Sequence, residues 1–352
     1  MLRNKKIYVM PIVGFLLLIL IITILLKLPI CNKTSLSYID AIFEATSNVT
    51  ATGSNVTDVS EQFTFLGQLV ILFAMEIGAI GFMLFFSLLF LTSKKKMKLS
   101  DALFLSNEIN TENYTAIKDK AKKITKYTLV IEFLGSWLLA FRFVPMYGLK
   151  TGLWYSIFHS ISAFCNVGSD LFGNSLVSFR NDIYINCIFI ILMFLGSLGF
   201  FVLEDLVGWF CTGKRSKIHV ESKLILTVSC FLVITGTFLI KIFDPQITVL
   251  EAVFSVVTAR NAGFYTIDIS TLHQMNQFLI SLIMFIGGGP GSNAGGIRVV
   301  VFAILILTTI SNIKNREDVV VFYRSINDKM IKKAIAILNI DLFIVFIRNV
   351  RT

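Results

Sequence analysis

Apolar residues fall along this chain in long unbroken blocks, without the alternation of elements that face water on one side. The blocks lie at about 8–28, 64–92, 125–146, 183–210, 223–243, 274–286 together with 297–313, and 332–348. A helix needs about 20 predominantly apolar residues to cross a bilayer, so the pattern predicts a set of membrane-spanning helices. The polar stretches between them are of two kinds. Lys94, Lys95, Lys96 and Lys98 follow the second block, and Lys118, Lys120, Lys122 and Lys123 precede the third. Lys214, Arg215 and Lys217 divide the fourth from the fifth, Lys314 and Arg316 follow the sixth, and Lys332 and Lys333 lead into the last. The connections at 29–63, 147–182 and 244–273 carry few basic residues. Basic connections stay on the cytoplasmic side, which predicts a multi-pass protein of the plasma membrane with a cytoplasmic N-terminus. Arg3, Lys5 and Lys6 precede the first block and no small-residue cleavage site follows it, so that block is expected to remain as a helix.

The three outward connections are too long for simple turns. Each holds a short, moderately apolar stretch that closes on a glycine: Asp40-Ala-Ile-Phe43-Glu-Ala-Thr-Ser-Asn-Val-Thr-Ala-Thr-Gly53, Ser156-Ile-Phe158-His-Ser-Ile-Ser-Ala-Phe-Cys-Asn-Val-Gly168 and Glu251-Ala-Val-Phe254-Ser-Val-Val-Thr-Ala-Arg-Asn-Ala-Gly263. In each, a Phe opens a run of about ten residues that ends in Gly. Such a run is too short to span, and predicts a re-entrant half-helix followed by an extended, glycine-ended segment. The blocks that follow match as well. Gly78-Ala-Ile-Gly81-Phe82 begins 25 residues past Gly53, Gly196-Ser-Leu-Gly199-Phe200 begins 28 past Gly168, and Gly288 lies 25 past Gly263. Matched offsets of this kind define an internal repeat. The repeats are expected at 1–93, 125–212 and 223–315, with cytoplasmic linkers at 94–124 and 213–222. Residues 316–352 would hold a further linker and the outer helix of an incomplete fourth repeat, the chain stopping before a fourth pore loop.

Composition agrees with a bilayer as solvent: 55% of the 352 residues are hydrophobic and 15% charged, against about 25% charged in soluble domains. The formal net charge of +10 belongs in this setting to cytoplasmic connections and not to a nucleic-acid surface. Five cysteines without paired spacing and three scattered histidines predict neither a disulfide framework nor a metal centre.

Irregular backbone at membrane depth is tolerated where it is buried in protein or lines water. A glycine-ended loop can turn its carbonyl oxygens toward an axis, and rings of carbonyls replace the hydration shell of an alkali cation. A half-helix pointing its C-terminal end inward adds partial negative charge. The fold class this predicts is an all-α integral membrane protein of tandem helix–pore-loop–helix repeats around a central ion pore.

The strings Phe158-His-Ser-Ile-Ser-Ala-Phe, Thr258-Ala-Arg-Asn-Ala-Gly-Phe264 and Phe285-Ile-Gly-Gly-Gly-Pro-Gly-Ser-Asn-Ala-Gly-Gly-Ile-Arg298 resemble the KtrB/TrkH potassium-uptake subunits of the Trk/Ktr/HKT superfamily, over essentially the whole chain. The resemblance implies K⁺ uptake across a bacterial plasma membrane, without covalent chemistry and without a cofactor in this chain. It implies a selectivity filter of Thr50, Ala51, Thr52 and Gly53, of Cys165, Asn166, Val167 and Gly168, and of Arg260, Asn261, Ala262 and Gly263, holding K⁺ by backbone carbonyls. Glycine in the first loop looks like the K⁺-preferring pattern. Na⁺ enters as a coupling or activating ion, and the partners implied are a second copy in a homodimer, a cytosolic nucleotide-binding subunit of the KtrA/TrkA kind and the lipid bilayer. Asn293-Ala-Gly295 mimics Asn261-Ala-Gly263, but the 32 residues between Gly263 and Gly295 leave no room for another outer helix and pore helix. The segment Gly287, Gly288, Gly289, Pro290, Gly291, Ser292, Asn293, Ala294, Gly295, Gly296, with Arg298, instead resembles the family's intramembrane gating loop.

Single residues carry two readings each. Glu76 is either a functional intramembrane carboxylate or a polar helix-packing group. Arg260 is expected to reach behind its loop and hold it by hydrogen bonds rather than face cations. Cys165 is expected to serve as a small neutral side chain, and His159 as a buried hydrogen-bonding group. Glu204 and Asp205 are expected at the cytoplasmic face, solvated or facing a partner. Rival readings are a secondary transporter with broken helices, an intramembrane enzyme, and an inactive remnant of a K⁺ transporter. Three loops on one side argue against inverted pairs, and no catalytic-type pair recurs at membrane depth.

Overall fold

The computed structural model describes residues 2–81, 114–212, 218–260, 262–316, 318–322 and 324–350. Phe82, the lysines at 94–98, the basic cluster at 214–217 and Asn261 lie outside the described residues. Two compact units divide the chain, Met1–Gly196 with Ala262–Asp268 and Ser197–Asn261 with Ile269–Thr352.

The first unit contains α1 (Leu2–Lys27), α2 (Tyr38–Val49), α3 (Phe65–Ile80), α4 (Tyr114–Tyr147), α5 (Leu149–Phe164) and most of α6 (Ile183–Leu198). α1 packs on α2, α3 on both, and α4 runs along α5. Leu26, Ala41, Ala45, Phe63, Ile71, Met75, Phe158 and Val167 form its core. The short helices start where side chains supply the missing partners of first-turn amides: the Ser37 hydroxyl accepts from the Asp40 amide at α2. α4 ends after Pro145 at Gly148, which has φ +79 and opens α5.

The second unit contains α7 (Phe200–Thr212), α8 (Val220–Phe243), α9 (Val249–Ala259), α10 (Gln274–Phe285), α11 (Val299–Ile313) and α12 (Asp328–Val350). α8 packs against α9, α10 and α11, and α11 against α12. A reciprocal capping box opens α9: the Thr248 hydroxyl accepts from the Glu251 amide while the Glu251 carboxylate accepts from the Thr248 amide. Asp244 and Asn276 tie α8 to α10, the Asn276 amide donating to Asp244 at 2.8 Å and to the Ile240 carbonyl at 3.0 Å.

Both units carry bands of exposed apolar side chains, including Leu16, Leu20 and Ile24 on α1, Phe133, Trp137 and Phe141 on α4, and Phe231, Ile234 and Phe238 on α8. In water such bands are an aggregation liability; against acyl chains they are the solvent-facing surface. Lys122–Tyr147 and Val220–Phe243 are long and apolar enough to cross a membrane.

Two sequence expectations change, and a third block is described only in part. The block at 183–210 is not one helix: it breaks at Gly199, whose φ of +96 disfavours any side chain. In the first repeat α3 stops at Gly81, with φ +83, and the rest of the predicted block lies beyond the described residues. The half-helices begin before the phenylalanines, at Tyr38, Leu149 and Val249, and the phenylalanines are not equivalent, Phe43 being exposed while Phe158 and Phe254 are buried. A short two-stranded hairpin, β1 (Val320–Val321) with β2 (Arg324–Ser325), lies between α11 and α12 in an otherwise all-α fold.

Candidate functional site

Three of the predicted glycines meet. A Cβ built on Gly53 would lie 1.4 Å from the Val167 carbonyl oxygen, and one on Gly168 would lie 2.5 Å from the Ala262 oxygen and 2.7 Å from the Gly263 Cα. One on Gly263 would reach within 3.0 Å of the Val167 oxygen. The second loop therefore sits between the first and the third, backbone against backbone. All three glycines have left-handed φ, +71, +84 and +81, so space and conformation both demand glycine. Asn261 of this set lies outside the described residues.

The first two loops leave their half-helices in one local conformation, and its cause is visible in the backbone. After α2, the Thr52 amide donates to the Ser47 carbonyl at 2.9 Å and the Ala51 amide to Asn48 at 3.4 Å. After α5, Val167 donates to Ser162 at 3.0 Å and Asn166 to Ala163 at 3.2 Å. This paired six-to-one and five-to-two pattern is a Schellman cap, with Ala51 (φ +52) and Asn166 (φ +53) as its left-handed residues. The cap turns the chain sharply just ahead of Thr52-Gly53 and Val167-Gly168. Thr50 lies on the first cap, its hydroxyl donating to the Thr46 carbonyl at 2.7 Å.

The return segment past each glycine is held from the half-helix. In the first repeat Glu44 accepts from the Val56 amide at 2.9 Å and from Thr57 at 3.3 Å. In the second, His159 stands at the same distance before its glycine. Its Nε2 accepts from the Leu171 amide at 3.1 Å, which assigns the proton to Nδ1, facing the Tyr155 carbonyl at 2.7 Å. Both residues are wholly buried. The matching position in the third repeat is Phe254, also wholly buried, and there hydrophobic packing replaces the polar tie. His159 thus has the buried hydrogen-bonding role that its place in the sequence suggests. Glu44 was legible only through its register with His159.

Behind the second loop the thiol of Cys165 lies 3.6 Å from a carboxylate oxygen of Glu76 on α3 and 3.6 Å from one of Glu132 on α4. The three donor atoms lie within 4.8 Å of one another. Cys165 is thus a small neutral side chain that also hydrogen-bonds, and Glu76 joins α3 to it. Glu132, 33 residues before Cys165, carries no sequence signal of its own beyond being charged in an apolar block.

At the end of α9 stands Arg260, 1% exposed. Its Nη2 donates to the Ser229 hydroxyl on α8 at 3.0 Å and, at 3.5 Å, to the carbonyl of Gly287. Among the described residues its Nε and Nη1 have no acceptor.

The run from Gly287 to Gly296 is a loop closed on itself between α10 and α11. Gly287 donates to the Ile297 carbonyl at 3.0 Å and Val299 donates to Gly288 at 3.0 Å, while a Cβ on Gly287 would lie 1.5 Å from the Gly295 oxygen. Arg298 holds it from within, Nη1 donating to the Gly289 and Ala294 carbonyls at 3.1 Å each and lying 3.5 Å from the Ser292 hydroxyl. The helix break at Gly199 receives it. Gly289 donates to the Ser197 carbonyl at 2.8 Å and Phe200 donates to the Gly291 carbonyl at 3.2 Å. The tip Pro290-Gly291 carries Gly291 at φ +68, Ser292 and Asn293 are half-buried, Ala294 is buried, and Gly295 and Gly296 are exposed.

The matched glycines of the repeat are equivalent in two cases of three. A Cβ on Gly78 would strike the Val49 carbonyl at 2.1 Å and one on Gly196 the Phe164 carbonyl at 1.9 Å, each four residues before its loop glycine. Gly288 belongs instead to the loop itself, 2.5 Å from the Ser197 oxygen by the same construction. Beside the linker at 213–222, Asp205 is engaged within the chain. It accepts from the His219 amide at 3.0 Å, from His219 Nδ1 at 2.8 Å and from the Ser222 hydroxyl, and so caps α8.

Residues 4–349 match the family described as TrkH, cation transport protein. The chain is similar to the Ktr system potassium uptake protein B of Bacillus subtilis strain 168, at 33% identity over 347 residues, covering 95% of this chain and 77% of that one. It is similar to the potassium/sodium uptake protein NtpJ of Enterococcus hirae, at 33% identity, covering 94% of this chain and 75% of that one. Its fold is that of the potassium transporter TrkH from Vibrio parahaemolyticus, with a TM-score of 0.70 at 19% identity over 93% of this chain and 68% of that one.

Proposed function

This chain belongs to the TrkH family of membrane cation transporters, which are not enzymes, and from that premise we propose that it takes up K⁺ across a bacterial plasma membrane. The observation that carries the proposal is the meeting of Gly53, Gly168 and Gly263, the first two presented by a half-helix and a sharp cap. Backbone brought this close offers carbonyl oxygens and excludes side chains, and carbonyl oxygens are the ligands that replace the water around an alkali cation. The residues 50–53, 165–168 and 260–263 are the proposed filter, and Gly287–Gly296 with Arg298 is the proposed gate. Glu44, His159 and the Cys165–Glu132–Glu76 cluster are the struts that keep the filter backbone in place.

The repeats are proposed at 1–93, 125–212 and 223–315, with 316–352 beginning a fourth, and the N-terminus on the cytoplasmic side. Relatives are named as parts of a Ktr system, which supports a second, regulatory component of the KtrA/TrkA kind, and a homodimer is proposed. One relative is named for potassium and sodium, which supports Na⁺ as a coupling or activating ion.

Purified protein in liposomes loaded with K⁺ tests the selectivity. ⁸⁶Rb⁺ uptake is expected to be competed by external K⁺ at concentrations about tenfold below those needed of Na⁺, the discrimination of a carbonyl-lined site. Equal competition by both ions, or none by either, rejects the filter assignment.

A further inference from the structure

We propose that Ser169 and Asn48 form a specificity-determining tie, which sets the spacing of the first two filter loops and with it the preference for K⁺ over Na⁺. The tie rests on the filter reading above and adds two residues that lie outside the proposed filter. Ser169 immediately follows Gly168, and its hydroxyl donates to the Asn48 side-chain oxygen at 2.8 Å, across 121 residues of chain. Asn48 itself fixes the direction of this bond: its Nδ2 donates to the Glu44 carbonyl at 2.9 Å, which leaves Oδ1 as the acceptor. The Asn55 Oδ1 lies 3.5 Å from the same hydroxyl, at the limit of a hydrogen bond. Asn48 and Ser169 are both wholly buried.

Ser162 on α5 brackets Gly168: its carbonyl accepts from the Val167 amide at 3.0 Å and its hydroxyl donates to the Ser169 carbonyl at 2.7 Å. Residues 167–169 are thereby held to their half-helix on both sides of the glycine. Asn48 lies on α2, and its own carbonyl accepts from the Ala51 amide in the first cap at 3.4 Å. The bond from Ser169 to Asn48 therefore joins the bracketed second loop to the cap of the first. It does so two residues from the closest approach of these loops, where a Cβ on Gly53 would lie 1.4 Å from the Val167 carbonyl oxygen. The first loop has no matching bracket. Ser47 stands at the position of Ser162, and its buried hydroxyl has no partner among the described residues. The first loop is thus held less firmly, and the tie fastens it to the firmer second loop. In the third loop Phe264 takes the place of Ser169 and packs on Phe189, ring centres 5.0 Å apart. Carbonyl selectivity, whether by fit or by field strength, depends on where the oxygens stand. Loss of the bond orphans a buried partner and lets the first loop move away from the Val167 oxygen.

The test measures ⁸⁶Rb⁺ uptake by the 352-residue chain in liposomes and reads the ratio of the Na⁺ to the K⁺ concentration that halves it. For the parent that ratio is expected at about ten. Ser169→Ala is expected to lower it to about three at equal inserted protein, because the first loop is released. Asn48→Ala, which removes the same bond from its other end, is expected to do the same, so either variant keeps the test available should the other fail to insert. The double variant is expected to stay at the level of the single ones, since one bond can be lost only once. A merely structural role would lower the inserted protein, or scale uptake of every ion alike, without moving the ratio. A ratio unchanged in the inserted variants, or falls that add in the double variant, overturns the tie while the parent's ratio keeps the filter reading. No discrimination by the parent rejects the filter reading itself, and the tie with it.

Discussion

His159 shows how much one side chain carries here. It is wholly buried on a half-helix, donates to Tyr155 behind it and accepts from the Leu171 amide ahead of it, and so fixes the segment that follows Gly168. His159→Leu keeps the volume and orphans that amide. Stability in detergent should fall by about 1–3 kcal/mol, read as a lowered midpoint of thermal unfolding, and Rb⁺ uptake should fall with it. A midpoint equal to that of the parent would mean that the tie is idle. Asp170, two residues past the glycine, makes a prediction of opposite sign. Burial pushes its carboxyl above the usual range, despite bonds from the Phe172 and Gly173 amides, and Asp58 adds to the push. Between the ordinary and the raised value the folded chain binds more protons than the unfolded one, so stability falls as pH rises through that window. Asp170→Asn, whose amide oxygen accepts the same two bonds, should flatten that dependence and raise the unfolding midpoint at pH 7. Identical pH slopes in the two proteins would contradict it. The sequence marked His159 as a buried polar group because a histidine inside an apolar stretch has few alternatives. It did not mark Glu132, since a carboxylate's partner across 33 residues of chain, Cys165, is a fact of packing alone.

Elements were legible where backbone chemistry leaves a residue-type signature. The half-helix and glycine-ended loop recur because left-handed φ and close approach both select glycine, and that constraint reads directly off the letters at 53, 168 and 263. Helix starts were not legible from phenylalanine: the capping residues Ser37 and Thr248 set them at α2 and α9, each six residues before Phe43 or Phe254. Nor was the break at Gly199 foreseen inside 183–210, because a Gly-Ser-Leu-Gly string is tolerated in an apolar helix and becomes a break only when another segment, here Pro290-Gly291, docks there. That docking makes the 287–296 loop a cross-braced element, held by Arg298 from inside and by Ser197 and Phe200 from outside. Removing Pro290–Gly296 deletes the bonded tip while leaving the stem. Flux should rise several-fold over the parent at equal membrane content, the behaviour of a removed barrier. A fall in membrane content with no gain in flux per molecule would assign the loop to folding instead.

At the scale of the molecule, the membrane class followed from composition and block length, and the sidedness was proposed from where the lysines lie. The chain spans about three quarters of the length of the curated relatives it matches, and the three loops described here are the part of the transport path that can be tested in it. The measurement that does so most directly is Rb⁺ uptake by this 352-residue chain in a bacterium stripped of its own K⁺ importers, with Gly168→Asp beside it and membrane content measured for both. A side chain at 168 meets the Ala262 oxygen and the Gly263 Cα and places a carboxylate on the loop backbone. The account predicts uptake by the parent and none above background by the variant. Uptake equal in the two proteins would contradict the filter, and no uptake by a fully inserted parent would contradict transport by this chain.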